Sequence, residues 1–398
     1  MNIYIITDEP FPYGRAATNR IICYCKGFVV NNASTKVICI KPHEDNNSKK
    51  KKFKGIFDNI PYEYACGTCI KGNTFLKRRL LDFKSIINIF NILKDENKRI
   101  SIDAIIVYFN STLFILICFI ISKLLSINLI YEKSELPLVL KKTTFCGKFY
   151  AKLCITLIYK VFNGILVETK TLKNYYKDKI RNDAKMMIVP MTVETERFNI
   201  NKIQDFQNSK YIAYCGTLCL EKRDGIPILI KAFSKISNKY KNLKLYIVGY
   251  SGIKGDFDKL QKLVFELNIS DKVIFTGKVK RNEIPKYLIN ANILALAKTS
   301  DYISTGGLSS KIAEYLSTGN PVVMTNVGDI SDFLTDEENV FFSDPDSVEK
   351  FADRLDYVLS NPDLAKKVGE NGKKIALKQF NYIIQSKNVI NFIKEINK

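Results

Sequence analysis

The segment Ser304–Asn326, STGGLSSKIAEYLSTGNPVVMTN, has the residue types and spacing with the clearest chemical meaning in this 398-residue chain. A glycine pair precedes a short helical pattern with a single acid, Glu314, and an apolar strand pattern follows. Backbone N–H groups at a glycine-rich helix start can hold an anion, and the helix dipole favours negative charge there. The residues that would offer these groups are Gly307, Leu308, Ser309 and Ser310. Since Glu314 could bind a ribose diol, the spacing predicts a nucleotide-sugar site that needs no metal. An ordinary loop, helix and strand of an α/β domain is the alternative.

Two adjacent cations, Lys222 and Arg223, lie in the loop after a predicted strand, and that loop begins at Gly216. Asp224 and Gly225 come next and open a predicted helix. Cations near a helix start can neutralise a diphosphate leaving group. The segment therefore predicts a diphosphate contact, and a solvated basic loop is the equally weighted alternative.

Two further loops with a glycine follow predicted strands. Gly14 and Arg15 lie where a helix begins after the first strand, and bare backbone beside a guanidinium suits a phosphate or a sugar ring. This loop is not G-x-G-x-x-G, so the dinucleotide-binding fingerprint is absent, and a plain strand–helix turn is the alternative. Lys278 and Val279 follow the predicted strand Lys272–Thr276, and we expect a nucleobase to lie against their backbone.

Short β-rich runs alternate with helical patterns along the chain, which is typical of doubly wound parallel sheets. The predicted strands are Asn2–Thr7, Lys36–Ile40, Ala104–Phe109, Asn128–Glu132, Gly164–Val167, Met186–Val189, Tyr211–Cys215, Leu243–Val248, Lys272–Thr276, Asn292–Ala297 and Pro321–Thr325. The alternation pauses near Pro190 and restarts at Tyr211. We therefore expect an α/β fold of two Rossmann-like domains that face a cleft, with ligands at the carboxyl ends of the strands.

This pause divides the chain into an N-terminal domain over 1–190, a linker over 191–209 and a C-terminal domain over 210–375. A last helix over 376–398 could pack back on the N-terminal domain. The apolar run Leu113–Ile121 is interrupted by Ser122 and Lys123. A membrane span needs about 20 apolar residues, so we expect this run to be a buried helix.

The net charge of +21 is concentrated in residues 1–200, which hold 32 Lys and Arg against 17 Asp and Glu. This excess predicts an anionic partner, such as a membrane surface or a phosphorylated acceptor, and a lysine-rich genome is the alternative. No basic segment has the spacing of a nucleic-acid-binding motif, so we expect no nucleic-acid partner. Ten cysteines with a single C-x2-C pair, Cys66 and Cys69, and a single histidine, His43, favour structural thiols over a metal site.

Together these positions resemble the retaining glycosyltransferases of family 4, which have GT-B architecture and include bacterial capsule and exopolysaccharide enzymes. The resemblance covers nearly the whole chain and is strongest over Tyr211–Leu334. It implies that Lys222 or Arg223 binds the donor diphosphate. It also implies that Glu314 is the second acid of a Glu-x7-Glu motif and binds the ribose hydroxyls, while the backbone of Gly307–Ser310 contacts the pyrophosphate and the sugar.

The resemblance extends to the N-terminal domain, with two departures. Phe11–Ala17 corresponds to a loop that lies against donor and acceptor, and Pro190–Phe198 looks like the interdomain segment. The first acid of the motif falls at position 306, where this chain has Gly306, so another group must contact the donor sugar. The family often has a histidine in the N-terminal domain, but His43 follows the second strand and is expected to be badly placed for that role.

The acids after the predicted strand Asn128–Glu132 are the candidates for an acceptor-side base. Glu135 or Glu132 could fill this role, and a surface pair with Lys133 is the equally weighted alternative.

The expected reaction moves a hexose-type sugar, with anomeric retention, from a nucleotide-diphosphate donor to a hydroxyl of a glycan or lipid-linked glycan acceptor. UDP is favoured over GDP, and no cofactor or metal is expected, because Lys222, Arg223 and the helix N-terminus would stabilise the leaving group. We expect a cytoplasmic protein that can lie peripherally on the inner face of the membrane. The alternatives are a nucleotide-sugar epimerase of the same architecture, a non-catalytic basic binding protein and a catalytically dead scaffold.

Overall fold

The computed structural model of this chain describes residues 1–44, 52–137, 157–201, 210–220, 224–301 and 306–397. The chain forms two compact units. The first unit holds Met1–Thr192 together with Tyr382–Lys398, and the second holds Val193–Asn381.

The first unit is built on an eight-stranded sheet. Its strands are β1 (Asn2–Thr7), β2 (Ser34–Cys39), β3 (Lys54–Phe57), β4 (Ile60–Tyr64), β5 (Ala104–Tyr108), β6 (Asn128–Lys133), β7 (Gly164–Val167) and β8 (Lys185–Ile188). They lie in the order β3-β4-β2-β1-β5-β6-β7-β8. Neighbours pair in parallel except for β3 and β4, which form an antiparallel hairpin. Because helices cover both faces of this sheet, its central strands are almost continuously apolar.

The helices of the first unit cover both faces of its sheet. They are α1 (Ala16–Val30), α2 (Phe75–Arg99), α3 (Thr112–Leu124), α4 (Lys170–Lys177) and, from the far end of the chain, α11 (Tyr382–Ile396). Helices α1 and α11 share a core with Ile3 and Ile5 of β1. Helices α2 and α3 share the opposite core with Tyr4 and Ile6, as the two-residue period of a strand requires.

The last helix packs tightly against α1. A Cβ atom at Gly27 would lie 2.1 Å from Oγ of Ser386, so only glycine allows this approach. The side-chain amide of Asn31 also donates to the carbonyl of Ile383 at 2.9 Å. The C-terminal helix is therefore part of the first unit, and it begins at Tyr382 whereas the sequence predicted a start at 376.

The second unit is built on a six-stranded sheet in which all neighbours pair in parallel. Its strands are β9 (Lys210–Cys215), β10 (Leu243–Val248), β11 (Val273–Gly277), β12 (Ile293–Leu296), β13 (Val322–Thr325) and β14 (Phe341–Ser343), in the order β11-β10-β9-β12-β13-β14. The helices are α5 (Ile226–Ile236), α6 (Asp256–Glu266), α7 (Ile284–Ile289), α8 (Ser310–Thr318), α9 (Val348–Ser360) and α10 (Pro362–Ile375). The fold class predicted from the sequence, α/β with parallel sheets in two Rossmann-like parts, is confirmed.

Two segments differ from the sequence-based interpretation. The predicted linker 191–209 contains a short 3₁₀ helix, Thr195–Phe198, that belongs to the second unit and buries Phe198. This segment belongs to the second unit because Phe198 is apolar and is buried there. The run Leu113–Ile121 is helical as predicted but not fully buried, because Leu113, Leu116 and Ile120 are exposed on one side of α3. No helix in the described parts of the chain is long and apolar enough to cross a membrane.

A buried network around Arg20 of α1 joins the carboxyl ends of several strands in the first unit. Its Nε lies 2.7 Å from Glu132 of β6, and Nη1 lies 3.4 Å from Glu168, which follows β7. Nη1 and Nη2 also donate to the carbonyls of Pro190 and Val189, each at 2.8 Å. Removing one member of a buried ion pair leaves the other charge uncompensated, which costs far more than breaking an exposed pair.

Arg20→Met should therefore destabilise the first unit by about 3–5 kcal/mol, because Glu132 would lose the cation beside it. The measurement is hydrogen-exchange protection of the β1, β5 and β6 amides, which reports the free energy of opening this sheet. The control is Arg79→Met, which removes an exposed pair with Asp82 at 3.1 Å and should cost less than about 1 kcal/mol. Equal losses in the two variants would show that the Arg20 network does not hold the sheet.

Candidate functional site

The predicted anion site in the second unit lies at the start of α8. Gly306 and Gly307 are buried just before the helix. Ser309 is the N-cap residue, with extended backbone, and its hydroxyl makes no capping hydrogen bond within the described part of the chain. The first turn of α8 carries no acid. The helix start therefore keeps the positive potential that an anion requires.

Lys298, which the sequence analysis did not identify, fixes the loop before α8. It follows β12, is buried, and donates through Nζ to the carbonyl of Gly307 at 2.8 Å. The hydroxyl of Thr325, at the end of β13, donates to the carbonyl of Lys298 at 2.6 Å. A buried ammonium thus lies next to the predicted phosphate-binding backbone. The sequence feature that could have identified Lys298 is its position directly after a predicted strand.

A second unpredicted cation, Lys311, lies in the first turn of α8. Its Nζ is 2.8 Å from Oδ2 of Asp224, which also accepts from the Tyr214 hydroxyl at 2.7 Å. Burial alone would raise the pKa of Asp224, but Lys311 and the Tyr214 hydroxyl outweigh it and hold this pKa below its usual value. A Cβ atom at Gly216 would lie 2.2 Å from Cε of Lys311. The absence of a side chain at Gly216 therefore lets Lys311 lie across the loop after β9.

Glu314, the predicted ribose-binding acid, is held by Arg197. Nη1 of Arg197 lies 3.1 Å from Oε1 of Glu314, and Nη2 donates to the carbonyl of Arg281 at 2.7 Å. Arg281 forms an ion pair with the buried carboxylate of Glu194. Arg197 therefore connects Glu314 with the segment after β11. Arg197 and Glu314 are 117 residues apart, so no local pattern could have revealed their contact.

The predicted nucleobase segment follows β11 in the same unit. β11 ends at Gly277, whose φ of +70° favours glycine. Nζ of Lys278 lies 5.4 Å from the centre of the Tyr250 ring, which follows β10. Lys278 and Val279 therefore lie at the carboxyl end of the sheet, as expected. Lys222 and Arg223 lie outside the described residues, so their predicted contact with a diphosphate stays a prediction.

In the first unit, polar side chains collect where β1, β5 and β6 end. Nζ of Lys133 donates to Oδ1 of Asn110, and the Tyr131 hydroxyl donates to the same oxygen at 3.0 Å. Burial lowers the pKa of Lys133 to about 8, although Glu135 and Asp8 attract its charge. Burial also raises the pKa of Asp8, against the attraction of nearby cations that include Lys133.

The structure separates the two candidate acids after β6. Glu132 is buried and paired with Arg20, and its Oε2 accepts from the Tyr24 hydroxyl at 3.0 Å. Glu135 is exposed, so of these two acids it is the one that solvent or a substrate can reach. Lys133, the partner in the alternative of a surface pair, is itself buried, and Glu135 attracts its charge.

His43 lies closer to this edge than the sequence suggested. It interacts with the backbone and the charge of Asp8, and burial lowers the pKa of the imidazole. Its position after β2, next to β1, brings it to the same edge of the sheet. Strand order is the reason for the difference, because the sequence did not show that β1 and β2 would be adjacent.

The predicted loop Phe11–Ala17 forms the start of α1. A Cβ atom at Gly14 would lie 1.8 Å from Oγ1 of Thr18, whose hydroxyl donates to the carbonyl of Pro10 at 2.7 Å. Arg15 is the exposed N-cap residue of α1. Beside this loop lies a cavity of about 200 Å³, and half of its lining residues are aromatic: Phe11, Tyr13, Tyr62 and Tyr64.

Metal ligands do not cluster in the described parts of the chain, where no group of three or more His, Cys, Asp or Glu could hold an ion. The cysteines of these parts are buried and form no disulfide bond with one another: Cys23, Cys25, Cys39, Cys66, Cys69, Cys118, Cys215 and Cys219. Burial raises the pKa of Cys118 to about 12, so it behaves as a small apolar side chain. Independence from metal stays a prediction.

Comparison with known proteins shows what this chain is similar to. Residues 195–375 match the family model described as glycosyl transferases group 1. An uncharacterized glycosyltransferase of Methanocaldococcus jannaschii is 26% identical over 245 residues, which are 59% of each chain. A GDP-mannose-dependent alpha-(1-6)-phosphatidylinositol monomannoside mannosyltransferase of Mycobacterium tuberculosis is 24% identical over 219 residues, 53% of this chain and 56% of that protein. The chain spans about half the length of the curated relatives it matches.

Solved structures agree on the fold. Anabaena HepE in complex with UDP superposes with a TM-score of 0.73 at 14% identity, over 99% of this chain and 100% of that one. The GT-B fold predicted from the sequence is therefore confirmed. The resemblance to glycosyltransferases is confirmed with it.

The lowered pKa of Lys133 predicts how stability depends on pH. Its pKa of about 8 lies below the ordinary value of 10.5, so between these values the unfolded chain binds more protons and stability rises with pH. Lys133→Met should stabilise the first unit at pH 7, because it removes the cost of burying an ammonium, and this advantage should shrink towards pH 10. Urea unfolding at several pH values measures it. Lys173→Met, at an exposed position in α4, is the control and should show no such trend. If the stability change caused by Lys133→Met does not depend on pH, the pKa of Lys133 is not lowered by folding.

Proposed function

We propose that this protein is a retaining, metal-independent glycosyltransferase that moves a hexose-type sugar from a nucleotide-diphosphate donor to a hydroxyl of a glycan or lipid-linked glycan. The observation that carries the proposal is the cluster in the second unit, where the start of α8, two cations and Glu314 lie within one helix and its preceding loop. Retention of the anomeric configuration rests on the resemblance to family 4.

We assign donor binding to the second unit. Departure of the nucleotide diphosphate builds negative charge on the β-phosphate, and fixed positive groups aimed at that charge lower the barrier. The N–H groups of Gly307–Ser310 and the ammonium of Lys311 would supply them, together with Lys222 and Arg223. Lys298 would act by holding the loop through the Gly307 carbonyl. Gly216 would allow Lys311 to approach the phosphates.

The nucleoside would lie between Glu314 and the segment after β11. Glu314 would accept hydrogen bonds from both ribose hydroxyls, and the base would lie against Lys278 and Val279. Arg197 would act as a positioning residue, because it fixes the carboxylate of Glu314 and contacts the carbonyl of Arg281. UDP is the proposed nucleotide, a preference supported by the UDP bound to the similarly folded HepE.

We assign acceptor binding to the first unit. Glu135 would act as base or positioning group, and Gly14 and Arg15 would contact a phosphate or a sugar ring. The proposed acceptor is carried on a lipid, which suits the basic character of residues 1–200. The relative in Mycobacterium tuberculosis, a phosphatidylinositol monomannoside mannosyltransferase by name, supports this choice.

A panel of UDP-, GDP-, ADP- and dTDP-sugars tests the donor. A ligand at about 100 times its Kd should stabilise the folded protein by about 2.7 kcal/mol, which a thermal-shift assay detects. We expect the largest shift with a UDP-sugar. Hydrolysis or epimerisation of the donor without any acceptor would favour the epimerase alternative. If none of the donors raises the melting temperature, the proposal that this protein binds a nucleotide sugar is wrong.

The ribose contact is tested with Glu314→Gln, which keeps the shape of the side chain and removes its charge. A hydrogen bond to a charged group contributes about 1.5–3 kcal/mol, so affinity for UDP should fall about tenfold to a hundredfold. Isothermal titration should also show that wild-type protein binds UDP more tightly than its 2′,3′-dideoxy analogue, and that this preference is smaller in the variant, because the Gln oxygen accepts a hydrogen bond without a charge. Glu338→Gln, at an exposed position of the same unit, should keep wild-type affinity and selectivity. A Glu314→Gln variant that prefers UDP over the dideoxy analogue as strongly as wild-type protein does would exclude the ribose role.

A further inference from the structure

The cavity of about 200 Å³ in the first unit, which we name the aromatic cavity, lies apart from the candidate acceptor-side acid. Its lining includes Phe11 after β1, Glu44 after β2 and Cys69 after β4. In the strand order, β1 lies two positions from β6 and β4 lies four, and Glu135 follows β6. Since neighbouring strands are about 4.8 Å apart, roughly 10–19 Å separate these elements from β6. The cavity is therefore a separate feature of the same sheet edge.

The hairpin of β3 and β4 supplies part of the aromatic lining. Tyr62 and Tyr64 are two residues apart in β4, so they lie on the same face of the strand. Tyr62 pairs with Gly55 of β3, and a Cβ atom at Gly55 would lie 3.2 Å from the Tyr62 hydroxyl. The small residue thus lets the Tyr62 ring lie across β3.

Hydrogen bonds and ring contacts fix the deeper part of the lining. The Tyr64 hydroxyl accepts from the backbone N–H of Phe11 at 3.2 Å and donates to the Phe11 carbonyl at 3.1 Å. The rings of Phe11 and Tyr62 are tilted against each other, with 5.6 Å between their centres. These side chains are held in place before any ligand binds, which lowers the entropy cost of binding.

Tyr13 is the exposed aromatic residue of the lining. Its ring meets Phe57 edge-on, with 5.9 Å between the ring centres, yet the residue remains 62% exposed. Phe57 in turn meets Phe11 edge-on at 6.2 Å. A ring that packs on other rings and still offers most of its surface at a concave site is typical of a ligand contact.

Two charged residues, Glu44 and Lys52, complete the polar part of the lining. The backbone of Glu44 is fixed, because its N–H donates to the Cys69 carbonyl and its carbonyl accepts from the N–H of Lys71, each at 2.8 Å. The Tyr62 hydroxyl donates to the carbonyl of Lys52 at 3.3 Å. A carboxylate only accepts hydrogen bonds and an ammonium only donates them. The cavity therefore combines flat apolar rings with one acceptor and one donor group.

We propose that the aromatic cavity binds one pyranose ring of a glycan. The apolar C–H face of the sugar would lie on Tyr13 and the neighbouring rings, and its hydroxyls would donate to Glu44 and accept from Lys52. At about 30 Å³ per water molecule in the liquid, the cavity holds about seven waters, which is roughly the space of a single sugar ring.

The place of this sugar in the reaction rests on the proposed function. Because the cavity lies away from Glu135, its occupant would be a sugar of the acceptor chain other than the one that receives the transferred sugar. Such a contact adds affinity for the acceptor without taking part in the chemistry.

The two charged residues favour a sugar over other occupants. An acyl chain would cover Glu44 and Lys52 with apolar atoms, and a charge that loses water without a new partner is costly. A phosphate group would meet repulsion from the Glu44 carboxylate. A nucleoside also has a flat ring, and uridine is therefore included as a probe.

Saturation-transfer NMR of the full chain, without any donor, tests the binding. The probes are the methyl glycosides of glucose, galactose, mannose and N-acetylglucosamine, with glycerol as a probe that has hydroxyls but no ring face. At least one glycoside should bind with a Kd of about 1 mM, and glycerol should not bind. Tyr13→Ala should weaken that binding about fivefold or more, because a stacking surface is lost. Phe265→Ala is the matched control, since Phe265 is 74% exposed on α6 of the second unit, and it should bind as wild type does.

A second variant, Glu44→Gln, tests the polar contact and leaves the rings unchanged. It should weaken glycoside binding about fivefold, since a neutral acceptor replaces a charged one. Melting temperatures would verify folding, and UDP affinity should stay at the wild-type value in every variant. Loss of UDP binding in wild-type protein would therefore count against the proposed function and not against the cavity. Three results would overturn the present proposal: no binding of any glycoside, an equal loss in Phe265→Ala, or Tyr13-dependent binding of uridine in place of the glycosides.

Discussion

Parallel pairing places the carboxyl ends of all strands in a sheet at the same edge, and the candidate chemistry of both units depends on this constraint. In the first unit it brings together Asp8, Asn110 and Lys133. Asp8 and Lys133 are more than a hundred residues apart in the sequence. In the second unit it aligns the loop after β9 with Lys298 after β12. Side chains that are distant in the chain thereby share one environment.

Collecting polar groups at a buried edge has an electrostatic cost, and each unit offsets it with charge pairs. Arg20 compensates Glu132 below the edge of the first sheet. In the second unit, Lys311 neutralises Asp224 and Arg197 neutralises Glu314. These pairs fix long side chains before any ligand binds. A preformed arrangement loses less conformational freedom on binding, which suits recognition of a charged nucleotide.

Helices and strands with many buried positions could be predicted from the sequence. Short elements, and elements whose burial depends on distant segments, could not. Gly164–Val167 and Leu243–Val248 have the predicted bounds, because continuous apolar runs between polar turns mark buried parallel strands. The hairpin of β3 and β4 was missed, since β3 alternates weakly and is half exposed. β14 has three residues, which is too short for a periodic signal. The prediction that Leu113–Ile121 is buried was wrong for the outer side of α3, because composition alone does not tell which neighbours a helix will have.

By itself the sequence determined the alternation of the main strands and helices, the glycines at their junctions and the position of Glu314 one turn into a helix. These features follow from local backbone preferences and from the periods of helix and strand, which act over a few residues. The tertiary structure decided that Arg197 meets Glu314, that Lys311 meets Asp224, and that α3 leaves apolar side chains uncovered. Contacts and exposure of this kind depend on distances between segments far apart in the chain, and those distances exist only once the sheets have formed.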